Sequence, residues 1–480
     1  MKKNTEIVFP KKGASEEQVL KDLTSLKNDD VNWASGKSFG YVYYPGEKYA
    51  NTIKKAYDLF FHDNALNPQL FPSLRKLEAE VVAMVNHLFN APSTASGCMT
   101  SGGTESILLS LKTARDYSKS LRPFMDVPEV IIPSSAHPAF LKGVNYFGLK
   151  AIVVPTNNLI ADVSLMAEKI NNNTVMLVGS APSFPHGLID PIEELSNLAL
   201  EHNLLLHVDC CIGGFMLPFM NKLGWNLPDF DFKLKGVTSI SVDIHKYGYA
   251  AKGASVILYR NRSLRKFQFS IFTKWSGGVY GSTTMLGTKP GGSIAAAWAA
   301  INTIGENGYL KLAKQTMEST NLLLKKLNDI PELSTIGEPS MSLVAIQSKT
   351  IDIHELADEM HIKGWSFDRL QYPSGIHLTI SQVHTAEIIE EFIADLKLSI
   401  NKVKYFSLSK KLHRFQVSTL KLVSKLLPHG SIAKIQKRFS SIDPSPKRAA
   451  AMYGMLGVLP DKDLDKIVQN LLDKLNSLDQ

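Results

Sequence analysis

Four groups of residues in this chain are of types and spacings that could do chemistry. Lys246 follows an apolar, β-branched run, Val237 to Val242, and precedes Tyr247-Gly248-Tyr249 and a second apolar run, Ala254 to Tyr259. That pattern reads as strand, loop, strand. An amine delivered at a strand end beside glycines can be partly desolvated, which lowers an ammonium pKa and makes the nitrogen able to attack a carbonyl. Asp209 closes another apolar run in His207-Val208-Asp209-Cys210, where an unpaired carboxylate is costly and calls for a cationic or N–H partner. Thr100-Ser101-Gly102-Gly103-Thr104-Glu105-Ser106 precedes Ile107-Leu108-Leu109. Two glycines and small hydroxyl residues at a helix start let free N–H groups approach a phosphate closely. Ser134-Ser135-Ala136-His137 adds an imidazole at a further strand end. Taken singly, each has a plain structural reading: a loop lysine, a capping aspartate, a helix cap at Thr104.

The elements that must position these groups follow from periodicity. Val130 to Pro133, Ala151 to Pro155, Val175 to Val178, Leu204 to Val208 and Val237 to Val242 read as buried strands, with helices such as Pro191 to His202 between some of them. This is the rhythm of a mainly parallel α/β sheet with ligands at its strand ends. Helices are expected over Lys48 to Phe61, Ser73 to Phe89 and from Ile107 to about Tyr117. Trp275 to Thr284 reads as a flexible glycine-rich loop leading to an alanine-rich helix. After about Asn321 a smaller α/β unit follows, with strands Leu343 to Gln347 and Ile376 to Ile380 and helices Ile353 to His361 and Ala386 to Asn401. The expected division is an N-terminal segment over 1–60, a large domain over 61–320 and a small domain over 321–480 with a basic insertion at 404–447.

Composition narrows the class. A chain of 480 residues that is 44% hydrophobic can bury a large core in two linked domains. Cys98, Cys210 and Cys211 show no paired spacing, which suits a reducing compartment. The opening Met-Lys-Lys-Asn-Thr-Glu lacks the apolar core of a signal peptide, and no run is long enough to span a membrane. A soluble cytoplasmic protein is expected, with export to act on another cell left open. HExxH, CxxC and Walker patterns are absent, so no metal site is expected. Of the net charge of +8, the stretch Asn401 to Arg448 carries nine lysines and three arginines against one aspartate, so the remainder is close to −3. The basicity belongs to one segment and does not imply nucleic-acid binding.

A lysine nucleophile, a strand-end carboxylate, an imidazole loop and a phosphate cradle are what pyridoxal 5'-phosphate requires. At this point the chain resembles a family, the sphingosine-1-phosphate lyases, group II members of the fold-type I pyridoxal phosphate enzymes. The resemblance runs from about Gly36 to Asn401 and resumes from Ala449. It is carried by Phe71-Pro72-Ser73-Leu74-Arg75-Lys76-Leu77-Glu78-Ala79-Glu80, Thr100 to Ile107, Ala136-His137, Phe184-Pro185-His186-Gly187, His207-Val208-Asp209, Lys235 to Gly253 and Ala451-Met452-Tyr453-Gly454-Met455. It implies a fold-type I architecture, with a mainly parallel seven-stranded large-domain sheet and a smaller C-terminal α/β domain. It further implies that Lys246 holds the cofactor as a Schiff base, that Asp209 keeps its ring nitrogen protonated and that His137 stacks on the ring. Gly103, Thr104 and His245 would bind the cofactor phosphate. Tyr43, Tyr453 and Lys252, with Arg448, would lie near the substrate phosphate. A homodimer with active sites at its interface is implied as well.

The implied reaction belongs to sphingolipid metabolism: retro-aldol cleavage of a long-chain base phosphate to a long-chain aldehyde and phosphoethanolamine. Lys252 is the first candidate for the base that takes the hydroxyl proton, and Tyr43 the second. Three positions depart from the family pattern: Asn67 where a histidine is usual, Lys289 in place of an arginine, and Ser282-Thr283-Thr284 in place of Ser-Pro-Thr. They bear on substrate preference more than on reaction type. The competing readings are a group II amino-acid decarboxylase on the same scaffold, a binding protein that has lost catalysis, and a membrane-docking module. The last rests on the basic insertion, where Leu408, Leu412, Phe415, Leu422 and Leu426 share one helical face and Lys410, Lys411, Arg414, Lys421 and Lys425 another. Two covering surface helices, or an interfacial hairpin on an anionic membrane, both fit that pattern.

Overall fold

The computed structural model describes residues 8–404, 449–450, 453 and 461–476. Arg448 and the basic stretch from residue 405 onward lie outside the described residues, and so does what was expected of them. Among the described residues, no helix is long and apolar enough to cross a membrane.

The runs read as buried strands assemble into one seven-stranded sheet. In chain order its strands are β1 (Ser96–Thr100), β2 (Glu129–Pro133), β3 (Lys150–Val154), β4 (Thr174–Ser180), β5 (Leu205–Cys210), β6 (Val237–Asp243) and β7 (Ser255–Tyr259), arranged β1-β7-β6-β5-β4-β2-β3. Neighbours from β3 to β6 pair parallel, and β7 runs antiparallel to both β6 and β1. The central strands are β-branched and apolar because helices cover both faces; Ile131, Leu177, Leu206, Val208 and Ile240 have no exposed surface. Parallel strands all end on one edge. Thr100, Asp209 and Asp243, from β1, β5 and β6, therefore come out side by side.

Helices α1 (Glu16–Leu26), α2 (Glu47–Leu59) and α3 (Pro72–Leu88) precede the sheet, and α4 (Gly103–Leu121) leaves β1. The polar N-terminal arm contains, among its described residues, the α-helix α1, whose Ser15 cap accepts from the Gln18 N–H; none of the helix residues is buried. Helix α4 begins at Gly103, earlier than the apolar run at Ile107 suggests, because the glycines themselves form its first turn. The stretch expected to be a flexible loop is a β-hairpin, β8 (Ser270–Trp275) with β9 (Gly278–Ser282), in which Trp275 pairs with Gly278. The Ser276-Gly277 turn and the positive φ of Gly278 (100°) close it. The alanine-rich helix α5 (Gly291–Asn328) is long and breaks at Gly305. It runs past residue 321, so the large sheet and the smaller unit share it.

A second sheet of four antiparallel strands, β10 (Ser334–Thr335), β11 (Leu343–Gln347), β12 (Asp368–Gln371) and β13 (Ser374–Thr379), has the order β10-β11-β13-β12. With α6 (Ile353–Ile362) and the helix over 386–404 it encloses its own core, including Leu356, Trp365, Leu378 and Phe392. Phe39 joins that core, its ring 4.3 Å from His384 and 4.9 Å from Phe392. Anchored there, the following Gly40 to Tyr44 passes toward the large sheet.

Candidate active site

The loop between β6 and β7 is closed by the antiparallel pair Asp243 and Ser255. It carries His245, Lys246 and Lys252 at the carboxyl edge of the sheet. The Lys246 ammonium is 2.9 Å from Asp243 Oδ2. Burial, the strongest influence on it, would lower its pKa, but Asp243, Cys211 and Asp209 outweigh that and hold it above the ordinary lysine value. Asp243 is 3% exposed and accepts from Ser255 Oγ at 2.5 Å. Burial alone would raise its pKa; the Lys246 charge, the neighbouring His245 and the Ser255 hydrogen bond bring it below the usual carboxylate value.

Asp209, at the end of β5, has the N–H partner its position demands: Cys211 N–H donates to Oδ1 at 3.0 Å and Ser241 Oγ at 3.3 Å. Both bonds fall on Oδ1. Oδ2 has no protein partner among the described residues and faces the cavity that Asp209 lines. Behind it, His207 bridges Ser239 and Ser241 at 2.9 and 3.2 Å, and burial pushes its pKa down to about 4, so it is neutral.

Helix α4 brings its first turn to the same place. A side chain at Gly103 would meet Cys211 Sγ at 2.5 Å and Asp243 Oδ1 at 2.9 Å, so only glycine lets these N–H groups reach the strand ends. Glu105 secures the arrangement. It accepts from Ser101 N–H at 2.6 Å and from Met285 N–H at 2.7 Å, which draws the chain after β9 over the helix start. His137 accepts from Ala139 N–H at its Nδ1 (3.1 Å), and Nε2 has no protein partner among the described residues. Lys246, Asp209, His137, Gly103, Thr104 and His245 all line one cavity of about 530 Å³, together with Asp243, Cys211, Met285 and Leu286.

Lys252 and Tyr43 form a second group beside it. Lys252 Nζ donates to the carbonyls of Tyr41 (2.8 Å) and His245 (3.3 Å) and lies 5.2 Å from the centre of the Tyr43 ring. Burial and the neighbouring Lys246 charge lower the Lys252 pKa, with Asp243 opposing. Burial, with the nearby Asp243, drives the Tyr43 phenol upward instead. Tyr41 holds a left-handed backbone, φ 62°, which costs a non-glycine residue roughly 1 kcal/mol or more. Its hydroxyl donates to the Asp368 carboxylate of β12.

Tyr453 does not line the cavity. Its ring stacks on His354 at 4.9 Å and lies under Arg369, and its carbonyl accepts from Gln371 Nε2. It feels the charge of Asp368, the carboxylate that the Tyr41 phenol meets. Asn67 is exposed, and its carboxamide oxygen accepts from Gln69 N–H at 2.9 Å. Lys289 is paired with Glu78 at 2.6 Å. Sequence reasoning passed over Asp243, Glu105 and Tyr41. The signal for Asp243 was the one used for Asp209, a carboxylate closing a buried strand; a left-handed tyrosine leaves no such signal.

Residues 1–349 match the family described as pyridoxal-dependent decarboxylase conserved domain. The chain is 50% identical over 396 residues to a sphingosine-1-phosphate lyase of Oryza sativa, covering 81% of this chain and 73% of that one. It is 45% identical over 398 residues to sphingosine-1-phosphate lyase 1 of Rattus norvegicus, covering 82% and 70%. The solved sphingosine-1-phosphate lyase of Burkholderia pseudomallei superposes with a TM-score of 0.81 at 37% identity, over 86% of this chain and 97% of that one.

Proposed function

This chain belongs to the pyridoxal-dependent decarboxylase family and, within it, to the sphingosine-1-phosphate lyases, and from that premise we propose how its own residues divide the work. The protein is a pyridoxal phosphate-dependent carbon–carbon lyase that cleaves sphingosine 1-phosphate to a long-chain aldehyde and phosphoethanolamine. One observation carries the assignment of roles: Lys246, the free Oδ2 of Asp209, His137 and the first turn of α4 all face a single cavity.

These residues fit pyridoxal phosphate. The α4 N–H groups beside Gly103 and Thr104, with neutral His245, would hold the phosphate. Asp209 would face the ring nitrogen, His137 would lie against the ring, and Lys246 is the amine within reach. When bound, the cofactor supplies a carbonyl that condenses with an amine and a ring that accepts the electron pair of the breaking bond. Lys252 takes the proton from the substrate's C3 hydroxyl. A C=O bond forms there as the C2–C3 bond breaks, and the aldehyde leaves. C2 then regains a proton and departs as phosphoethanolamine. Lys252 suits this task better than Tyr43 because its pKa is lowered toward working pH while that of Tyr43 is raised. The Tyr43 ring stabilises the ammonium formed in that step. Tyr453 and Arg448 are assigned the substrate's phosphate end from the sequence alone.

Purified protein given pyridoxal phosphate and sphingosine 1-phosphate should release long-chain aldehyde and phosphoethanolamine. Lys246→Ala should lose both the yellow cofactor absorbance and the aldehyde. Carbon dioxide from an amino acid, without aldehyde from the lipid, would instead establish the decarboxylase reading. We also infer a homodimer, supported by the exposed apolar hairpin β8–β9. Peripheral contact with anionic membranes through 404–447 rests on sequence pattern. Sedimentation with anionic liposomes that is released by salt, and lost when Lys410, Lys411, Arg414, Lys421 and Lys425 become glutamine, would establish it.

A further inference from the structure

Lys252 is held by two carbonyls of different standing. The His245 carbonyl belongs to the same β6–β7 loop and goes wherever that loop goes. The Tyr41 carbonyl, the nearer of the two at 2.8 Å, comes from more than 200 residues away in the chain. It is aimed at Nζ by a backbone conformation that tyrosine does not favour, φ 62°, directly after Gly40 at φ 138°. Such a conformation persists only where something over-determines it. Tyr41 is 67% exposed, so packing holds it only weakly. Two hydrogen bonds hold it: Val42 N–H donates to the Gly40 carbonyl across the turn at 2.7 Å, and the Tyr41 phenol donates to the Asp368 carboxylate at the start of β12. The base on the large sheet is thereby tied to the edge strand of the small one.

We propose that Asp368 is a positioning residue for the cleavage step, acting through Tyr41: it anchors the phenol, the anchored phenol fixes the left-handed turn, and the turn presents the Tyr41 carbonyl to Lys252 Nζ. This rests on the reading of Lys252 as the base. A carbonyl at that distance favours the ammonium over the free amine and fixes where the nitrogen stands. Lys252 has three other ionisable neighbours on its own loop, Lys246, Asp243 and His245, and Tyr43 beneath it. Asp368 is faced by Tyr41, Tyr43 and Tyr453, with Arg369 next to it in the chain and paired to Asp358. With the clamp removed, Lys252 loses one acceptor and one positional restraint. Its proton leaves more readily, and its geometry worsens.

The test uses the holoenzyme with sphingosine 1-phosphate and follows aldehyde release across pH. Tyr41→Phe removes the anchored hydroxyl and keeps the ring; Asp368→Ala removes the acceptor; Asp368→Asn keeps an oxygen that can accept from the phenol. Tyr41→Phe and Asp368→Ala should each lower kcat by about 5- to 10-fold. Each should move the acid limb of the kcat profile toward lower pH by roughly half a unit to one unit. The double variant should be no worse than either single one, because both cut the same chain. Asp368→Asn should recover most of the loss. A merely structural role would lower thermal stability and leave the acid limb in place. An unmoved limb in both single variants, additive losses in the double variant, or an Asp368→Asn enzyme as impaired as Asp368→Ala would each overturn the proposal. An inactive parent enzyme would refute the lyase reading itself, and a Lys252→Arg enzyme that keeps the parent's acid limb would remove Lys252 as the base. Both results differ from a failed clamp in an active enzyme.

Discussion

The Lys246 ammonium stands 2.9 Å from the carboxylate of Asp243, three residues earlier on the strand that delivers it. An amine so paired is protonated, and a protonated amine does not add to a carbonyl. In the role proposed for it, Lys246 would be held in reserve until the cofactor enters and its proton moves away. The pair also contributes to stability over a defined window. The Asp243 pKa is depressed, so its contribution is present above the unfolded carboxylate value and is lost as pH falls through the depressed one. The Lys246 pKa is raised, so its contribution is present below the unfolded lysine value and is lost as pH rises through the raised one.

Asp243→Asn should therefore free the amine. Apoprotein carrying it is expected to take up pyridoxal phosphate about 3- to 10-fold faster near neutral pH, read from the growth of yellow absorbance after mixing. It should also unfold a few degrees lower, since Ser255 and Lys246 both lose a charged partner. Uptake as slow as in the parent would mean that the ion pair does not limit capture.

The pH dependence of turnover should expose Lys252. Its pKa is lowered by burial and by Lys246, and the role proposed for it needs the neutral amine. The rate should accordingly climb with pH through a value below that of an ordinary lysine and then level off. Lys252→Arg keeps the positive charge but cannot give up its proton at working pH. The substitution should cost roughly 100-fold or more in kcat and abolish the acid limb, with a smaller change in KM. A limb that survives it would transfer the base role to another group.

Strand ends were the legible part of the sequence. Asp209 and Lys246 follow buried, β-branched runs, and such runs admit few placements in a parallel sheet, so their position on the carboxyl edge could be read from pattern alone. The glycines at the start of α4 were legible too, and the structure gives their reason: Gly103 faces Cys211 and Asp243 too closely for any side chain. The hairpin β8–β9 was misread because Gly277-Gly278 reads as flexible. The concentration of β-branched and aromatic residues, Ile271, Phe272, Thr273, Trp275, Val279 and Tyr280, on both sides of that turn was the signal for strands. Contacts that join distant segments left no trace. Nothing in Gly40-Tyr41-Val42 announces that its carbonyl meets Lys252 or that its phenol meets Asp368, since both depend on how the two sheets face each other.

Asn67 marks a position where the chain departs from the family pattern. Its carboxamide is exposed and closes its own turn through Gln69 N–H, so it offers a phosphate no charge. Asn67→His should lower KM for sphingosine 1-phosphate by about 3- to 10-fold through a charge-assisted hydrogen bond. The gain should be larger at pH 6 than at pH 8, because more of the imidazole is protonated there. KM values matching the parent at both pH values would place residue 67 out of reach of the substrate phosphate.

The hairpin β8–β9 yields the last prediction. Ile271, Phe272, Trp275 and Val279 are each more than half exposed, and Met285 and Leu286 extend the apolar surface toward the cavity they line. A two-stranded hairpin is marginal in water on its own, and a contiguous apolar patch of this kind marks a surface that something covers. The proposed cover is a second copy of the chain, and the hairpin's approach to the cavity would then put part of each site at the interface. Phe272→Asp with Val279→Asp places two charges where a partner would have to desolvate them, a penalty of several kcal/mol across a dimer. The parent is expected to run as a dimer by light scattering at micromolar concentration, and the double variant as a monomer. The variant should still fold, since neither side chain is buried. It should keep its yellow absorbance, because the groups assigned to the cofactor come from one chain, yet lose most aldehyde release. A double variant that remains dimeric and fully active would remove the hairpin from the interface.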